Sequence, residues 1–141
     1  MTIKQLSVFL ENKSGRLNEV LGILGQADIR IIAATVADTS EYGILRLITS
    51  DTAKAYEVLK ANRVSAQQSD VVALTCNSTA AEFAEQMDYF TREGLSVEYM
   101  YCFSTGEKAF LILRTSDNAM VDAIARKYGL DIITEKELLS V

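Results

Sequence analysis

The residues with the clearest chemical potential form a short polar loop near the N-terminus, Glu11-Asn12-Lys13-Ser14-Gly15-Arg16-Leu17. An apolar stretch that is typical of a strand precedes this loop, and an amphipathic pattern follows it. The first amides of a helix lack partners within the helix, and the helix dipole adds positive charge there, so the position suits a carboxylate or a phosphate. Gly15 allows the backbone to come close to a ligand. The pattern predicts an anion site at this loop.

The same residues also have simpler interpretations. Asn12 could form an Asx turn or cap the helix without any ligand. The charged side chains of Lys13, Arg16 and Arg30 could be solvated surface groups. Both interpretations stay open at the level of the sequence.

Catalysis has little support in the composition. The chain has 141 residues and no histidine, which excludes Ser-His and Cys-His nucleophile systems and histidine-ligated zinc. Acid–base chemistry would fall to carboxylates such as Glu11, Glu41 or Glu98, and no spacing pairs them with a nucleophile. Cys76 and Cys102 have no CxxC neighbour, so we expect two small buried residues rather than a zinc site. We therefore expect a protein that is not an enzyme and that holds no cofactor or metal.

The charge balance argues against nucleic acid as a partner. The chain has 14 Lys and Arg against 19 Asp and Glu, a net charge of −5, whereas nucleic-acid binding requires a cationic surface. An RNA-recognition domain is suggested only by KAFLIL (108–113), which lacks basic neighbours. No apolar run approaches the ~20 residues of a membrane helix, and residues 1–10 have no features of a signal peptide. We expect a cytoplasmic protein that binds neither nucleic acid nor a membrane.

The sequence repeats itself with a period of 66 residues. The segment 39–53 reads TSEYGILRLITSDTA, and the segment 105–119 reads TGEKAFLILRTSDNA. Eight of these 15 positions are identical, and the rest of the repeat matches mainly in its apolar pattern. Two copies are too few for a solenoid, so the repeat predicts two paired domains, residues 1–69 and 70–141.

Hydrophobic periodicity predicts the order βαββαβ in each copy. In the first copy we expect strands at 3–10, 29–37, 42–49 and 64–69, with helices that begin after Gly15 and at Asp51. In the second we expect strands at 71–76, 95–103, 108–115 and 130–134, with helices at 79–93 and 117–128. Right-handed crossovers then give an α+β, ferredoxin-like fold, in which each antiparallel sheet has the order 4-1-3-2 and both helices lie on one face.

Strand two lies at an edge in that order, and its sequence does little to prevent pairing. Arg30 is the one gatekeeper in residues 29–37, and Glu98 is the one in residues 95–103. We therefore expect the units to stand side by side through strand two, either within the chain or across a homodimer. Small residues in the first copy correspond to aromatic residues in the second: Ala33, Thr35 and Ala37 against Tyr99, Tyr101 and Phe103.

The segment ENKSGRL, followed by an amphipathic helix and then ADIRIIAATV, resembles the ACT domain, the amino-acid-sensing module of phosphoglycerate dehydrogenase, aspartokinase and the acetolactate synthase small subunit. In that family the loop typically reads Asn-x-Pro-Gly. Asn12 and Gly15 match it, whereas Ser14 stands at the Pro position. Arg30 stands where phosphoglycerate dehydrogenase-like domains have Asn, and residues 77–82 of the second copy lack both Pro and Gly.

The resemblance implies a free amino acid bound between the loop and strand two of a neighbouring unit, with Asn12 holding the effector. Occupancy would pass to a metabolic enzyme as partner or to the protein's own oligomer. An alternative is a regulatory or assembly subunit of an amino-acid biosynthetic enzyme with no bound effector. The ligand-binding residues implied are Asn12, Lys13, Ser14, Gly15, Arg16, Leu17, Arg30, Ile31, Val97, Glu98 and Tyr99.

Charge predicts that the two loops differ. Residues 1–66 carry 8 Lys and Arg against 7 Asp and Glu, whereas residues 67–141 carry 6 against 12, so the net charges are +1 and −6. The first helix includes Arg16, whereas the second begins with Glu82 and Glu85, which complement the helix dipole and repel a carboxylate. Thr79 and Glu82 also predict a capping box. We therefore expect one strong amino-acid site per chain.

Overall fold

A computed structural model describes residues 1–11, 14–38 and 41–141. None of the helices in these ranges is both long and apolar enough to cross a membrane. The elements, in chain order, are β1 (Ile3–Glu11), α1 (Arg16–Gln26), β2 (Ile31–Asp38), β3 (Tyr42–Thr49), α2 (Thr52–Ala61), β4 (Ala66–Asn77), α3 (Ala80–Arg92), β5 (Val97–Thr105), β6 (Lys108–Thr115), α4 (Asn118–Tyr128), β7 (Asp131–Ile133) and α5 (Glu135–Leu139).

Contacts divide the chain into two compact units. The first unit comprises residues 4–69 with Val141, and the second comprises residues 70–140 with residues 1–3. The two ends of the chain are therefore grouped differently from the ranges expected from the sequence. In the second unit, the amino group of Met1 lies 2.6 Å from the carboxylate of Asp122 on α4, and this ion pair ties the first residues to that helix.

The first unit has a sheet of order β2-β3-β1-β4. Both β1 and β2 pair antiparallel with β3, and the backbone N–H of Phe9 donates to the carbonyl of Ser65 at 3.0 Å. Alternate residues of β1 point toward the two helices, because successive side chains of a strand alternate between faces. The core of this unit contains Leu6, Val8 and Leu10 of β1 together with Val20, Leu24, Leu45, Leu47, Ala55 and Leu59.

The second unit has a sheet of order β5-β6-β4-β7. Its three pairings, β5 with β6, β6 with β4 and β4 with β7, are all antiparallel. The fold class is therefore confirmed, because each unit has the ferredoxin-like order 4-1-3-2 and packs its two long helices, α1 and α2 or α3 and α4, against its sheet. The core of the second unit contains Val72, Leu74, Phe90, Leu95, Ala109, Leu111, Leu113, Val121 and Ile124.

The strands expected at 64–69 and 71–76 run into one another without a break, as the absence of a spacer at Ser69-Asp70 predicts. They form one strand of 12 residues, β4, which begins at Ala66 rather than Val64. Nothing between them favours a break, since the junction Ser69-Asp70 is not followed by Pro or Gly. The short helix α5 was not predicted. Its start is capped by Thr134, whose Oγ1 accepts from the backbone N–H of Glu137 at 3.1 Å.

Strands β2 and β5 are edges of their sheets. Within residues 1–11, 14–38 and 41–141, β2 has β3 as its one strand neighbour, and β5 has β6. Each edge strand has a register shift near its start, between Ile31 and Ala33 in β2 and between Val97 and Tyr99 in β5. The shifts are 66 residues apart, so the repeat extends to the irregularities of the backbone.

The prediction that both cysteines are buried is wrong. Cys76 on β4 is half-buried and Cys102 on β5 is exposed, and both are free thiols. Cys102 is exposed because it lies on the edge strand. Strand β6 lies between β4 and β5, so the two cysteines occupy non-neighbouring strands, as predicted.

The repeat also places left-handed residues at matching helix ends. Arg63 after α2 has a φ of 60°, and its counterpart Gly129 after α4 has a φ of 70°. A side chain in this conformation costs roughly 1–2 kcal/mol, which glycine avoids. The second unit therefore ends α4 at lower strain than the first unit ends α2.

We expect a substitution at each of these positions by the residue type of the other copy to change the free energy of unfolding in opposite directions. Arg63→Gly should raise the free energy of unfolding by about 0.5–1 kcal/mol, because it removes the left-handed strain at the cost of some chain entropy. Gly129→Arg should lower it by about 1 kcal/mol or more. Urea unfolding of both variants provides the measurement, and changes of the same sign would contradict this account of the repeat.

Candidate functional site

Helix α1 begins directly after a glycine with a left-handed backbone. Gly15 has φ 80° and ψ 0°, and no described side chain accepts a hydrogen bond from the start of the helix. A Cβ added to Gly15 would meet nothing within 4 Å, so the left-handed backbone, not lack of space, favours glycine here. Among the described side chains, none therefore competes with a ligand for the N–H groups of the first turn.

The residues around Gly15 form an open cleft of about 280 Å³, lined by Glu11, Ser14, Gly15, Arg16 and Glu19. The guanidinium of Arg16 donates from Nη1 to Oε2 of Glu19 at 2.9 Å. The Arg16 side chain is only 21% exposed, and its Nε has no hydrogen-bond partner among the described residues. The cleft thus combines a guanidinium, two carboxylates and helix amides that no described side chain caps.

The predicted ligand-binding residues of the first loop also include Asn12, Lys13 and Leu17. Asn12 and Lys13 lie outside the described residues, so their predicted contacts with a ligand stay predictions. Leu17 is 37% exposed at the start of the helix, and its predicted contact with a ligand stays a prediction.

Glu19 is the residue that sequence reasoning missed. It is the repeat counterpart of Glu85, so an acidic residue occupies this matched position in both α1 and α3. The contrast between the loops therefore rests on one described position, Arg16 against Glu82, and not on two acidic residues. The i, i+3 spacing of Arg16 and Glu19 was the available signal for their ion pair.

The second loop, residues 77–82, forms hydrogen bonds between its own residues. Oγ1 of Thr79 accepts from the backbone N–H of Glu82 at 3.2 Å, which is one half of the predicted capping box. The other half is wrong, because the Glu82 carboxylate accepts from the backbone N–H and Nδ2 of Asn77, both at 2.9 Å, and not from Thr79. Polar side chains of the loop itself therefore cap the start of α3.

The predicted strand-two residues of the first unit lie at the start of β2 and do not line the cleft. Arg30 precedes β2 and is exposed, its backbone N–H donates to Oγ of Ser50 at 2.9 Å, and its carbonyl accepts from the Ser50 N–H at 2.9 Å. Ile31 is 42% exposed at the start of the edge strand.

The strand-two residues of the second unit have local roles. Val97 packs against the core, Glu98 pairs with Nε of Arg114 at 3.2 Å, and Tyr99 is half-buried opposite Arg114 in the register of β5 and β6. A site that combines these residues with the first loop stays a prediction. In the described ranges, no group of three or more Cys, Asp or Glu side chains is placed to hold a metal ion.

The environment of Cys76 predicts that its thiol reacts slowly with an alkylating reagent. Burial, together with the nearby Glu82 carboxylate and Cys102, raises the pKa of the Cys76 thiol, so less of it is thiolate at neutral pH. We expect iodoacetamide to alkylate Cys76 more slowly than exposed Cys102. Glu82→Gln should speed the reaction at Cys76, because loss of the negative charge lowers the thiol pKa. Mass spectrometry of timed digests provides the measurement, and faster alkylation of Cys76 in the unmodified chain would contradict it.

Comparison with known proteins places the chain in a family. A family model described as an ACT domain pair matches residues 1–141. The crystal structure of protein BT0572 from Bacteroides thetaiotaomicron is 35% identical with a TM-score of 0.95, and the match covers 100% of this chain and 98% of that one. No curated protein matches the sequence.

More distant crystal structures share the fold. The regulatory subunit of aspartate kinase from Thermus thermophilus, in its ligand-free form, is 12% identical with a TM-score of 0.65, covering 87% of each chain. The corresponding subunit from Thermus flavus is 17% identical with a TM-score of 0.64, covering 87% of this chain and 88% of that one. Together with the family model, which spans the whole sequence, these observations show that the chain belongs to the ACT domain pair family.

Proposed function

We propose that this ACT domain pair is a non-catalytic sensor that binds a free amino acid at its first loop. Residues 1–69 and 70–141 would be its two ACT domains. The observation that carries the proposal is the start of α1 at Gly15, which no described side chain caps and which opens on a cleft with charges of both signs. Occupancy would be passed to a partner enzyme or through a homodimer.

The chemistry of the cleft matches a zwitterion. An amino-acid carboxylate would accept hydrogen bonds from the first-turn amides of α1, where the helix dipole favours an anion by about 0.3–1 kcal/mol. Its ammonium group would face the carboxylates of Glu11 and Glu19. Arg16 would then exchange part of its contact with Glu19 for the ligand carboxylate, and its unpartnered Nε gives it a donor to offer.

The second loop should bind an amino acid weakly or not at all. Thr79 already caps α3, and Glu82 places a negative charge where Arg16 stands in the first unit. We therefore propose one strong site per chain.

A regulatory subunit without an effector is the second candidate function. The ion pair between Arg16 and Glu19 supports it, because the guanidinium of the cleft already has a carboxylate partner. The two Thermus proteins of this fold are described as regulatory subunits of aspartate kinase. An enzyme of amino-acid metabolism is accordingly the class of partner we propose under either function.

Calorimetry with each of the twenty amino acids should find one that binds at a single site per chain. At 100 times its dissociation constant, this ligand should add about 2.7 kcal/mol to the free energy of unfolding. Gly15→Val combined with Asn12→Ala should abolish binding, because a β-branched residue strains the left-handed turn.

The repeat supplies a matched control. Ala81 is the counterpart of Gly15 on α3, so Ala81→Val should leave the binding unchanged. Two equal sites per chain, or full binding by the Gly15 variant, would contradict the proposed site, and no binding by any amino acid would favour the subunit without an effector.

We also propose that the free edge of β2 pairs with a second copy of the chain. Ile31 and Val36 are large apolar residues exposed on this edge strand, and its one described strand neighbour is β3. Such pairing would bring strand two of one copy toward the loop of another, as the family resemblance implies.

Hydrogen exchange and sedimentation test this pairing. The amides of residues 31–36 should be protected, and Ala34→Pro should weaken dimers about tenfold or more, because proline removes a backbone donor from the edge. Ala34→Ser, which keeps the donor, should have little effect. A monomer at all concentrations would contradict the proposal.

A further inference from the structure

The two units differ at two matched positions, one on the first strand and one on the first helix of each unit. In the first unit, Leu10 of β1 and Val20 of α1 are both in the core. Their repeat counterparts in the second unit are Cys76 and Gln86. An apolar pair in one copy is therefore replaced by a polar pair in the other, within the same backbone pattern.

A cavity of about 250 Å³ lies at this place in the second unit, between the end of β4, the first turns of α3 and the turn before β7. Its lining includes Cys76, Glu82, Gln86, Lys108 and Asp131. Gln86 is only 7% exposed, and its Oε1 accepts no hydrogen bond from any described residue. A buried amide oxygen without a donor destabilises a protein, so this position favours a molecule that supplies the donor.

The other polar groups define the charge of that molecule. Glu82 and Gln86 lie one turn apart on the same side of α3. Each Glu82 oxygen accepts one hydrogen bond from Asn77 and keeps its negative charge. Asp131 adds a second carboxylate, and Lys108 supplies one positive charge, so the ionised side chains of the lining sum to −1. The cavity is rich in acceptors and favours a cationic donor.

We propose that this cavity binds a small compound with a primary ammonium group, which donates to Oε1 of Gln86 and is balanced by Glu82 and Asp131. Cys76 forms part of the wall. This site lies wholly within the second unit and does not depend on the amino-acid site proposed at the first loop.

Ethanolamine is a suitable probe, with tetramethylammonium as a control that carries the charge but has no N–H donor. In the full-length protein, ethanolamine should shift the NMR signals of the Gln86 side-chain amide and of the backbone amides at 129–131. Tetramethylammonium should leave them in place. Equal shifts with both compounds, or none with ethanolamine, would overturn the proposal.

Two variants distinguish a binding site at Gln86 from a simple packing defect there. Gln86→Val gives the second unit the residue of the first, so it should raise the Tm of the free protein by about 3 °C and weaken ethanolamine about tenfold or more. Glu82→Gln should weaken ethanolamine several-fold by removing one charge. Gln68→Val, at an exposed glutamine of β4, should change neither quantity. A higher Tm with unchanged ethanolamine binding by Gln86→Val would identify Gln86 as a defect and overturn the proposal.

The amino-acid titration of the first loop should be unaffected by Gln86→Val. The two proposals can therefore fail separately.

Discussion

A central strand that carries core residues determines the form of each unit. Strand β1 has this position in the first unit and β4 has it in the second. The stretch from Val71 to Leu74 is completely buried, so a slip of one residue would exchange the entire side-chain set of both faces. Because each central strand runs directly into the loop before the first helix of its unit, the core determines where that loop leaves the sheet. The chemistry of the loop can then vary without loss of its position.

A comparison of the two copies shows that the polar groups at the loop vary while the backbone is kept. Edge-strand irregularities and left-handed helix ends recur at a spacing of 66 residues, so the backbone is nearly the same in both copies. No described side chain caps the start of α1 at Gly15, whereas Thr79 and Glu82 close the start of α3. The buried position of Val20 is occupied by Gln86 in the second unit. One scaffold therefore carries two different sets of polar groups.

Much of the fold was accessible from the sequence because it follows from short-range patterns. The apolar periods and the repeat predicted the strand order, and Asp51 caps α2 as expected, accepting from Lys54 N–H at 3.1 Å. The burial of Cys102 was predicted from its residue type alone, although the predicted strand order already placed its strand at an edge. The partner of Glu82 depends on where Asn77 lies after the strand, a contact that periodicity does not encode.

The candidate site was less predictable than the fold. Gly15 and Arg16 were identified from residue type and position, but the carboxylates of Glu11 and Glu19 enter the cleft through the geometry of the turn. A comparison of the repeats at Glu19 and Glu85 would have shown that both helices carry this acidic residue. The proposed contribution of a neighbouring strand two depends on assembly, which no local pattern in the sequence encodes.

The irregular starts of β2 and β5 have a consequence for the behaviour of the protein at high concentration. A bulge increases the local twist of a strand and interrupts its ladder of hydrogen bonds. The regular part of β2 is therefore limited to Ala33–Asp38, six residues, or roughly 20 Å of strand. A short, twisted template of this kind supports one closed pairing but gives poor support to the flat, open-ended stacking of amyloid fibrils. The same irregularity that shapes the edge thus protects the protein against fibrous aggregation.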